Sequence, residues 1–272
     1  YILGVLIGIF FMEEKAYIVE AVRTDGGKRD GNLSLWHPAD LGAKVLDEIV
    51  LRLDMDPALV DDVIFGCVDQ VGAQSGNVAR NAVLSSSFPE SVPGTSVDRQ
   101  CGSSQQAIHF AIQAVMSGTQ DIVIGGGVEV MSLVPIGASV TDGMKAGHGF
   151  PFDSNGMKVR YPDVFFSQFT GAELVADKWK LSRQDLDEFA FESHQKAAHA
   201  TETKYFDRVI LPVEAKNAEF HMCLDTVPPA AIANPSVTIE SAVQMALKHN
   251  WSGYNIDDES HGAPFGLSLI HI

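Results

Sequence analysis

Apolar residues along this chain form short dense runs that alternate with wider stripes of helical spacing. The dense runs lie at residues 16–22, 63–65 and 121–124, and each is short enough for a buried strand. Residues 94–97, Gly-Thr-Ser-Val, form a further strand-like segment. The stripes predict helices that begin at Pro38, after Asn77 and after Cys101. Strands that alternate with helices indicate an α/β protein with a mainly parallel sheet and helices on both faces.

Three glycine-rich or capping signals set the limits of these elements. Gly118 follows the stripe after Cys101 and is expected to end that helix in a left-handed cap. Between residues 132 and 170 glycines and prolines interrupt every apolar run, so a loop region is expected there. Ser182 and Asp185 then have the spacing of a capping box, which predicts a helix containing Leu186 and Phe189.

Composition and charge narrow the class of protein. The chain has 272 residues, of which 46% are hydrophobic, and this is ample for a large core. Its formal net charge of -16 argues against binding to nucleic acid, although a local basic patch would still suit a nucleotide. Three cysteines without framework spacing indicate a reducing compartment, and we expect the cytoplasm.

Residues 1–11 are almost wholly apolar and raise the question of a membrane segment. The run is too short to span a bilayer, and it has neither a preceding basic region nor a following cleavage site of small residues. Residues 12–15, Met-Glu-Glu-Lys, look like a natural start. We therefore predict that residues 1–11 are a non-native leader and that the chain has no membrane span.

Cys101 is the candidate nucleophile. It stands in the sequence Asp-Arg-Gln-Cys-Gly-Ser-Ser at residues 98–104, between a predicted strand and the start of a predicted helix. Free N–H groups and the dipole at a helix N-terminus stabilise an anion, and Gly102 leaves room for a substrate. Most free cysteines only pack as small apolar residues, and we assign that role to Cys67. His109 is expected to pack along its own helix.

The Cys-Gly-Ser sequence at Cys101 and the segment Gly-Gly-Val-Glu-Val-Met-Ser at residues 126–132 resemble the thiolase family, the acetyl-CoA acyltransferases. The resemblance covers residues 16–216 and includes residues 17–24, 65–68, 77–80, 172–173 and 181–183. It departs at Asp25, where the family usually has proline after Arg-Thr. Cys223 lies in a segment that matches nothing in the family.

The resemblance implies a thiolase-like layered fold and a division of the chain. Residues 12–131 would form the first core half, and residues 132–217 part of the loop domain that covers the active site and binds coenzyme A. Residues 218–272 stay unassigned, and a mis-assembled gene would explain them. The second core half would then be absent.

The resemblance also implies the chemistry. Cys101 would form an acyl-thioester intermediate in 3-oxoacyl-CoA cleavage or acetyl-CoA condensation, with coenzyme A thioesters as substrates and no other cofactor or metal. Main-chain N–H groups at Cys101 and Gly102 would form part of an oxyanion hole. The intact relative would be a homodimer or homotetramer of fatty acid metabolism.

Two groups that this chemistry uses have no match in the chain. The family takes a histidine from a Gly-His-Pro segment and a second cysteine from a Cys-x-Gly segment, and neither occurs among these 272 residues. His261 is followed by Gly-Ala-Pro, which is the wrong order. We therefore expect the chain to be inactive as a thiolase.

Two other functions stay open. A ketosynthase of fatty-acid synthesis shares the fold and the position of the nucleophile, although residues 126–132 favour a thiolase. A non-catalytic, thiolase-like protein that binds acyl-CoA or lipid is the second alternative.

Overall fold

The computed structural model describes residues 15–216 and the backbone of residues 270–271. In this part of the chain, one five-stranded sheet is accompanied by seven α-helices. The strands are β1 (Ala21–Val22), β2 (Asp62–Gly66), β3 (Gly94–Val97), β4 (Val123–Gly127) and β5 (Ile270–His271). The helices are α1 (Pro38–Leu53), α2 (Val78–Ser85), α3 (Ser103–Met116), α4 (Ala138–Lys145), α5 (Asn155–Arg160), α6 (Gln168–Trp179) and α7 (Arg183–Glu202).

These residues divide into two compact units. The first contains the described residues 15–23, 37–129 and 270–271, and therefore the whole sheet with α1 to α3. The second contains residues 24–36 and 130–216, with α4 to α7.

The sheet has the strand order β1-β5-β4-β2-β3. Strands β4, β2 and β3 are adjacent and parallel, and Ile64 on β2 stands opposite Thr95 on β3 and Gly125 on β4. Strand β5 runs antiparallel to both β1 and β4. The predicted α/β class with a mainly parallel sheet is confirmed.

The first predicted strand is much shorter than its apolar run suggested. Strand β1 contains only Ala21 and Val22, and the described residues 15–20 before it have no regular structure. Tyr17, Ile18 and Val19 are 74%, 60% and 60% exposed, because no described element covers them. An apolar run predicts a strand only where a partner buries it.

Helices cover both faces of the sheet, as predicted. On one face a Cβ added to Gly42 of α1 would touch Phe65 of β2 and Ala82 of α2. On the other face Ile64 packs in a buried cluster with Ala107 and Ala111 of α3. The alternation of neighbouring β2 side chains between α1 and α3 follows from the two-residue period of a strand.

Local signals set the helix ends correctly. Pro38 is the first residue of α1, and the side chain of His37 accepts a hydrogen bond from the Ala39 N–H. Gly118 follows α3 with φ 68°, the predicted left-handed conformation. Ser182 and Asp185 form the predicted capping box at the start of α7.

The expected loop over residues 132–170 is wrong in part, since α4, α5 and the first residues of α6 lie there. Glycines mark the ends of α4 rather than preventing it: Gly137 precedes the helix with φ 79°, and Gly147 follows with the same angle. No described helix is both long and apolar enough to cross a membrane.

Candidate active site

Cys101 lies where β3 leads into α3, at the carboxyl edge of the parallel strands. Strand β3 ends at Val97 and α3 begins at Ser103, so a turn of five residues carries the cysteine. Cys101 is exposed. Neighbouring strands end at the same edge, and Cys67 follows β2 closely while Glu129 follows β4. Open α/β sheets bind their ligands at such an edge.

Hydrogen bonds within residues 98–103 shape this turn. The Asp98 carboxylate accepts from the Gln100 N–H at 2.8 Å. Gln100 has φ 49°, in the left-handed region, and its carbonyl accepts from the Ser103 N–H at 3.0 Å. The Ser103 hydroxyl accepts from the Arg99 N–H at 2.8 Å and donates to the Gln100 carbonyl at 2.5 Å.

The N–H group of Gly102, expected in an oxyanion hole, takes part in the same turn. The Gly102 N–H donates to the Arg99 carbonyl at 3.1 Å, so in this structure it does not point to a free acceptor site. The sequence pattern places Gly102 next to the nucleophile, but it does not show that a turn uses this N–H. The contribution of the Cys101 and Gly102 N–H groups to an oxyanion hole stays a prediction.

Two glycines of the sheet hold the first turn of α3 close to the strands. A Cβ on Gly66 would overlap the backbone of Ser103 and Ser104. A Cβ on Gly127 would overlap the Ser104 hydroxyl and approach the Gly66 carbonyl. Because Gly66 and Gly127 stand opposite each other on β2 and β4, together they form a flat platform beneath the helix that follows Cys101.

Cys67 differs sharply from Cys101 in its surroundings. It is 1% exposed, and its N–H donates to the Val97 carbonyl at 3.0 Å. Burial, followed by the negative charges of Glu129, Asp69 and Asp98, raises the pKa of the Cys67 thiol to about 12. The predicted packing role of Cys67 fits this burial.

Glu129 brings a carboxyl group into the interior behind this edge. Its Oε1 accepts from the Asp69 N–H at 2.9 Å, and the Val68 N–H is a second donor. Burial is the main cause that raises the pKa of Glu129, and these two N–H groups oppose the rise. The Asp69 carbonyl in turn accepts from the buried Gln74 side chain at 2.8 Å.

In the sequence, Glu129 and Ser103 stand within the two family motifs, but the motifs predict no contacts for either residue. A carboxylate two residues after a fully buried strand was the available signal for Glu129, because such a charge needs partners. For Ser103 the signal was a hydroxyl residue directly after Cys-Gly, at the start of the predicted helix.

The histidine nearest to Cys101 in the sequence is His109. His109 is exposed on α3, so the expectation that it packs along its helix is wrong. It points outward because Ala107 and Ala111 occupy the face of α3 that meets the sheet. His261 and Cys223 lie outside the described residues.

Comparison with known proteins agrees with this architecture. The family model "Thiolase, N-terminal domain" matches residues 16–244, which extends past residue 217, where the sequence-based resemblance ended. The structure also matches that of a Bacillus anthracis acetyl-CoA acetyltransferase, with a TM-score of 0.64 and 30% identity over 83% of this chain and 57% of that one.

Curated relatives point to the same family. The steroid 3-ketoacyl-CoA thiolase FadA6 of Mycobacterium tuberculosis is 47% identical over 209 residues, which are 76% of this chain and 51% of the relative. The 3-oxoadipyl-CoA/3-oxo-5,6-dehydrosuberyl-CoA thiolase of Escherichia coli is 36% identical over 75% of this chain and 52% of its own length. The chain thus spans about half the length of these relatives. On its matched residues and its fold, this chain belongs to the thiolase family.

Proposed function

We propose that this chain carries the nucleophile of an acyl-CoA C-acyltransferase and that Cys101 is that nucleophile. The observation that supports the proposal best is an exposed cysteine at the carboxyl edge of the sheet, directly before α3. Cys67 does not suit this task, because it is buried and its raised pKa keeps it a neutral thiol. A thiolate, and not a thiol, attacks a carbonyl carbon.

The proposed reaction is acyl transfer in two steps. The Cys101 sulfur attacks the 3-oxo carbon of a 3-oxoacyl-CoA, and the bond between carbons 2 and 3 breaks. The released carbanion takes up a proton and leaves as acetyl-CoA, while the shortened acyl group stays on sulfur. A coenzyme A thiolate then attacks this thioester and releases Cys101. In the synthetic direction, acetyl-Cys101 accepts a carbanion formed from a second acetyl-CoA.

The substrates and partners are proposals at the same level. Acyl-CoA thioesters and coenzyme A are the substrate class that the family supports, and similarity to the steroid enzyme favours testing bulky acyl groups. We propose a homodimer or homotetramer for the complete protein. A reducing compartment such as the cytoplasm suits a reactive free thiol.

Incubation with acetyl-CoA tests the assignment of the nucleophile. We expect intact-protein mass spectrometry to show one added acetyl group, and peptide mapping to place it on Cys101. Cys101→Ala should abolish the adduct. Cys67→Ala is the matched control, since it removes the neighbouring thiol and should leave the adduct in place.

The two alternative functions predict different results in the same experiment. A non-catalytic binding protein would retain acetyl-CoA without acetylation of Cys101. A ketosynthase would be acylated faster by an acyl carrier protein thioester than by acetyl-CoA. Acetylation of Cys67 in place of Cys101 would overturn the site assignment.

A further inference from the structure

The turn that carries Cys101 has little packing to hold it in place. Residues 98–101 are all exposed, so the conformation of this segment depends on its own hydrogen bonds. Ser103, two residues after Cys101, is by contrast only 4% exposed. It lies against Gly66, and a Cβ added to Gly66 would overlap the backbone of Ser103 and Ser104. Ser103 therefore joins the exposed turn to the rigid sheet.

The Ser103 hydroxyl bridges both sides of the turn. It accepts a hydrogen bond from the Arg99 N–H at 2.8 Å and donates one to the Gln100 carbonyl at 2.5 Å. These partners stand before Cys101 in the chain, whereas Ser103 stands after it. The hydroxyl thus closes a hydrogen-bonded ring, and the backbone of Cys101 is part of that ring.

The conformation that this ring holds is an unfavourable one. Gln100 has φ 49°, and the left-handed region costs a residue with a Cβ roughly 1–2 kcal/mol. The Gln100 carbonyl receives two hydrogen bonds, from the Ser103 N–H and the Ser103 hydroxyl, and its N–H is held by Asp98. Strained backbone persists where its surroundings over-determine it, and such backbone is common at functional sites.

We propose that Ser103 is a positioning residue for Cys101. Its hydroxyl keeps Gln100 in the left-handed conformation and thereby aims the Cys101 sulfur from the start of α3 toward the substrate. The proposal rests on the proposed role of Cys101 as the nucleophile. Loss of the hydroxyl frees Gln100 to relax toward an ordinary conformation, and Cys101, the next residue, turns with it.

The test uses the full chain with Ser103→Ala, the conservative variant Ser103→Thr, and Ser117→Ala as the matched control. Ser117 lies at the other end of the same helix, and its hydroxyl also donates to a backbone carbonyl, that of Ala114, at 2.8 Å. For each protein, peptide mapping follows three rates: acetylation of Cys101 by acetyl-CoA, and alkylation of Cys101 and of Cys67 by iodoacetamide.

We expect Ser103→Ala to slow both reactions of Cys101 by about ten-fold, since a misplaced reacting group loses rate steeply. Cys67 should stay unlabelled, because the core around it is unchanged. Ser103→Thr and Ser117→Ala should both react within about two-fold of the parent chain. Rescue by threonine separates positioning by the hydroxyl from a general loss of stability.

Three results would overturn the proposal. They are Cys101 rates in Ser103→Ala within about two-fold of the parent chain or above it, new labelling of Cys67 in that variant, or no rescue by Ser103→Thr. If acetyl-CoA does not acetylate the parent chain, the proposed function fails instead. The iodoacetamide rates, which require no acyl-CoA, then still decide the role of Ser103.

Discussion

The two described cysteines illustrate how the surroundings of a residue decide its chemistry. Cys67 is buried and has a pKa of about 12, so near pH 8 its thiol is both neutral and inaccessible. Cys101 is exposed. We expect limited iodoacetamide treatment of the native chain, followed by peptide mapping, to label Cys101 and leave Cys67 unmodified.

Unfolding in guanidinium chloride is the control for this labelling, since both thiols should then react alike. Preferential labelling of Cys67 or Cys223 in the native chain, with Cys101 protected, would contradict the assignment of the site.

Asp61 gives a pH-dependent prediction at the same scale. Its carboxylate accepts from the Asp121 and Ile122 N–H groups at 2.7 and 3.0 Å, and these bonds, that of Ile122 first, lower its pKa below 3.8. A lowered folded-state pKa stabilises the protein above the unfolded value, and this stabilisation is lost as the pH falls through the folded value. Asp61→Asn should therefore lower the Tm at neutral pH.

The Tm difference between Asp61→Asn and the parent chain should shrink as the pH falls below 3.8. Calorimetry across this range measures it, with the exposed Asp163→Asn as the control that should show no such trend. A Tm difference that stays constant with pH would show that the charge of Asp61 contributes nothing.

At the scale of elements, α3 can approach β2 closely because Gly66 has no Cβ. Gly66→Ala places a Cβ into the backbone of Ser103 and Ser104, which cannot move as a flexible side chain would. Overpacking of a core typically costs 1–3 kcal/mol, and we expect about 3 kcal/mol or more here, because backbone must shift. Urea unfolding measures this loss in the free energy of unfolding.

Gly171→Ala is the matched control for Gly66→Ala. Gly171 lies within α6 and has nothing within 4 Å of an added Cβ, so alanine should be neutral or stabilising by up to about 1 kcal/mol. An equal loss of stability in both variants would mean that close approach of α3 to the sheet is not what Gly66 provides.

At the scale of the whole molecule, we expect Cys101 to be acylated without sustained turnover. The family takes its base and its second cysteine from Gly-His-Pro and Cys-x-Gly segments, which the 272 residues do not contain. A positioned acid or base typically contributes 10²–10⁴-fold in rate, so a single nucleophile leaves only slow, stoichiometric acylation.

The measurement is the loss of acetoacetyl-CoA after addition of coenzyme A, with Cys101→Ala as the control. Sustained turnover that Cys101→Ala abolishes would show that other residues of this chain, such as His261, supply the missing groups.

Local features were determined by the sequence alone, because each depends on residues a few positions apart. Pro38, the Ser182–Asp185 pair and Gly118 signal helix ends through their own backbone and side-chain preferences, and all three stand where they were predicted. The α/β class follows from the same short-range patterns. The position of Cys101 between β3 and α3 is also local, since strand, turn and helix are consecutive in the chain.

Tertiary structure alone decided what depends on residues distant in sequence. Among the described residues, the apolar run at residues 16–22 forms a strand at Ala21 and Val22 alone, because a strand needs partners that its own sequence does not specify. The hydrogen bond from Asp69 to Glu129 joins residues 60 positions apart, and it opposes the rise in the pKa of Glu129 that burial causes. Gly66 and Gly127 form the platform under α3 only when β2 and β4 pair, because the two glycines are far apart in the sequence. The local sequence around either glycine does not specify which helix will pack on it.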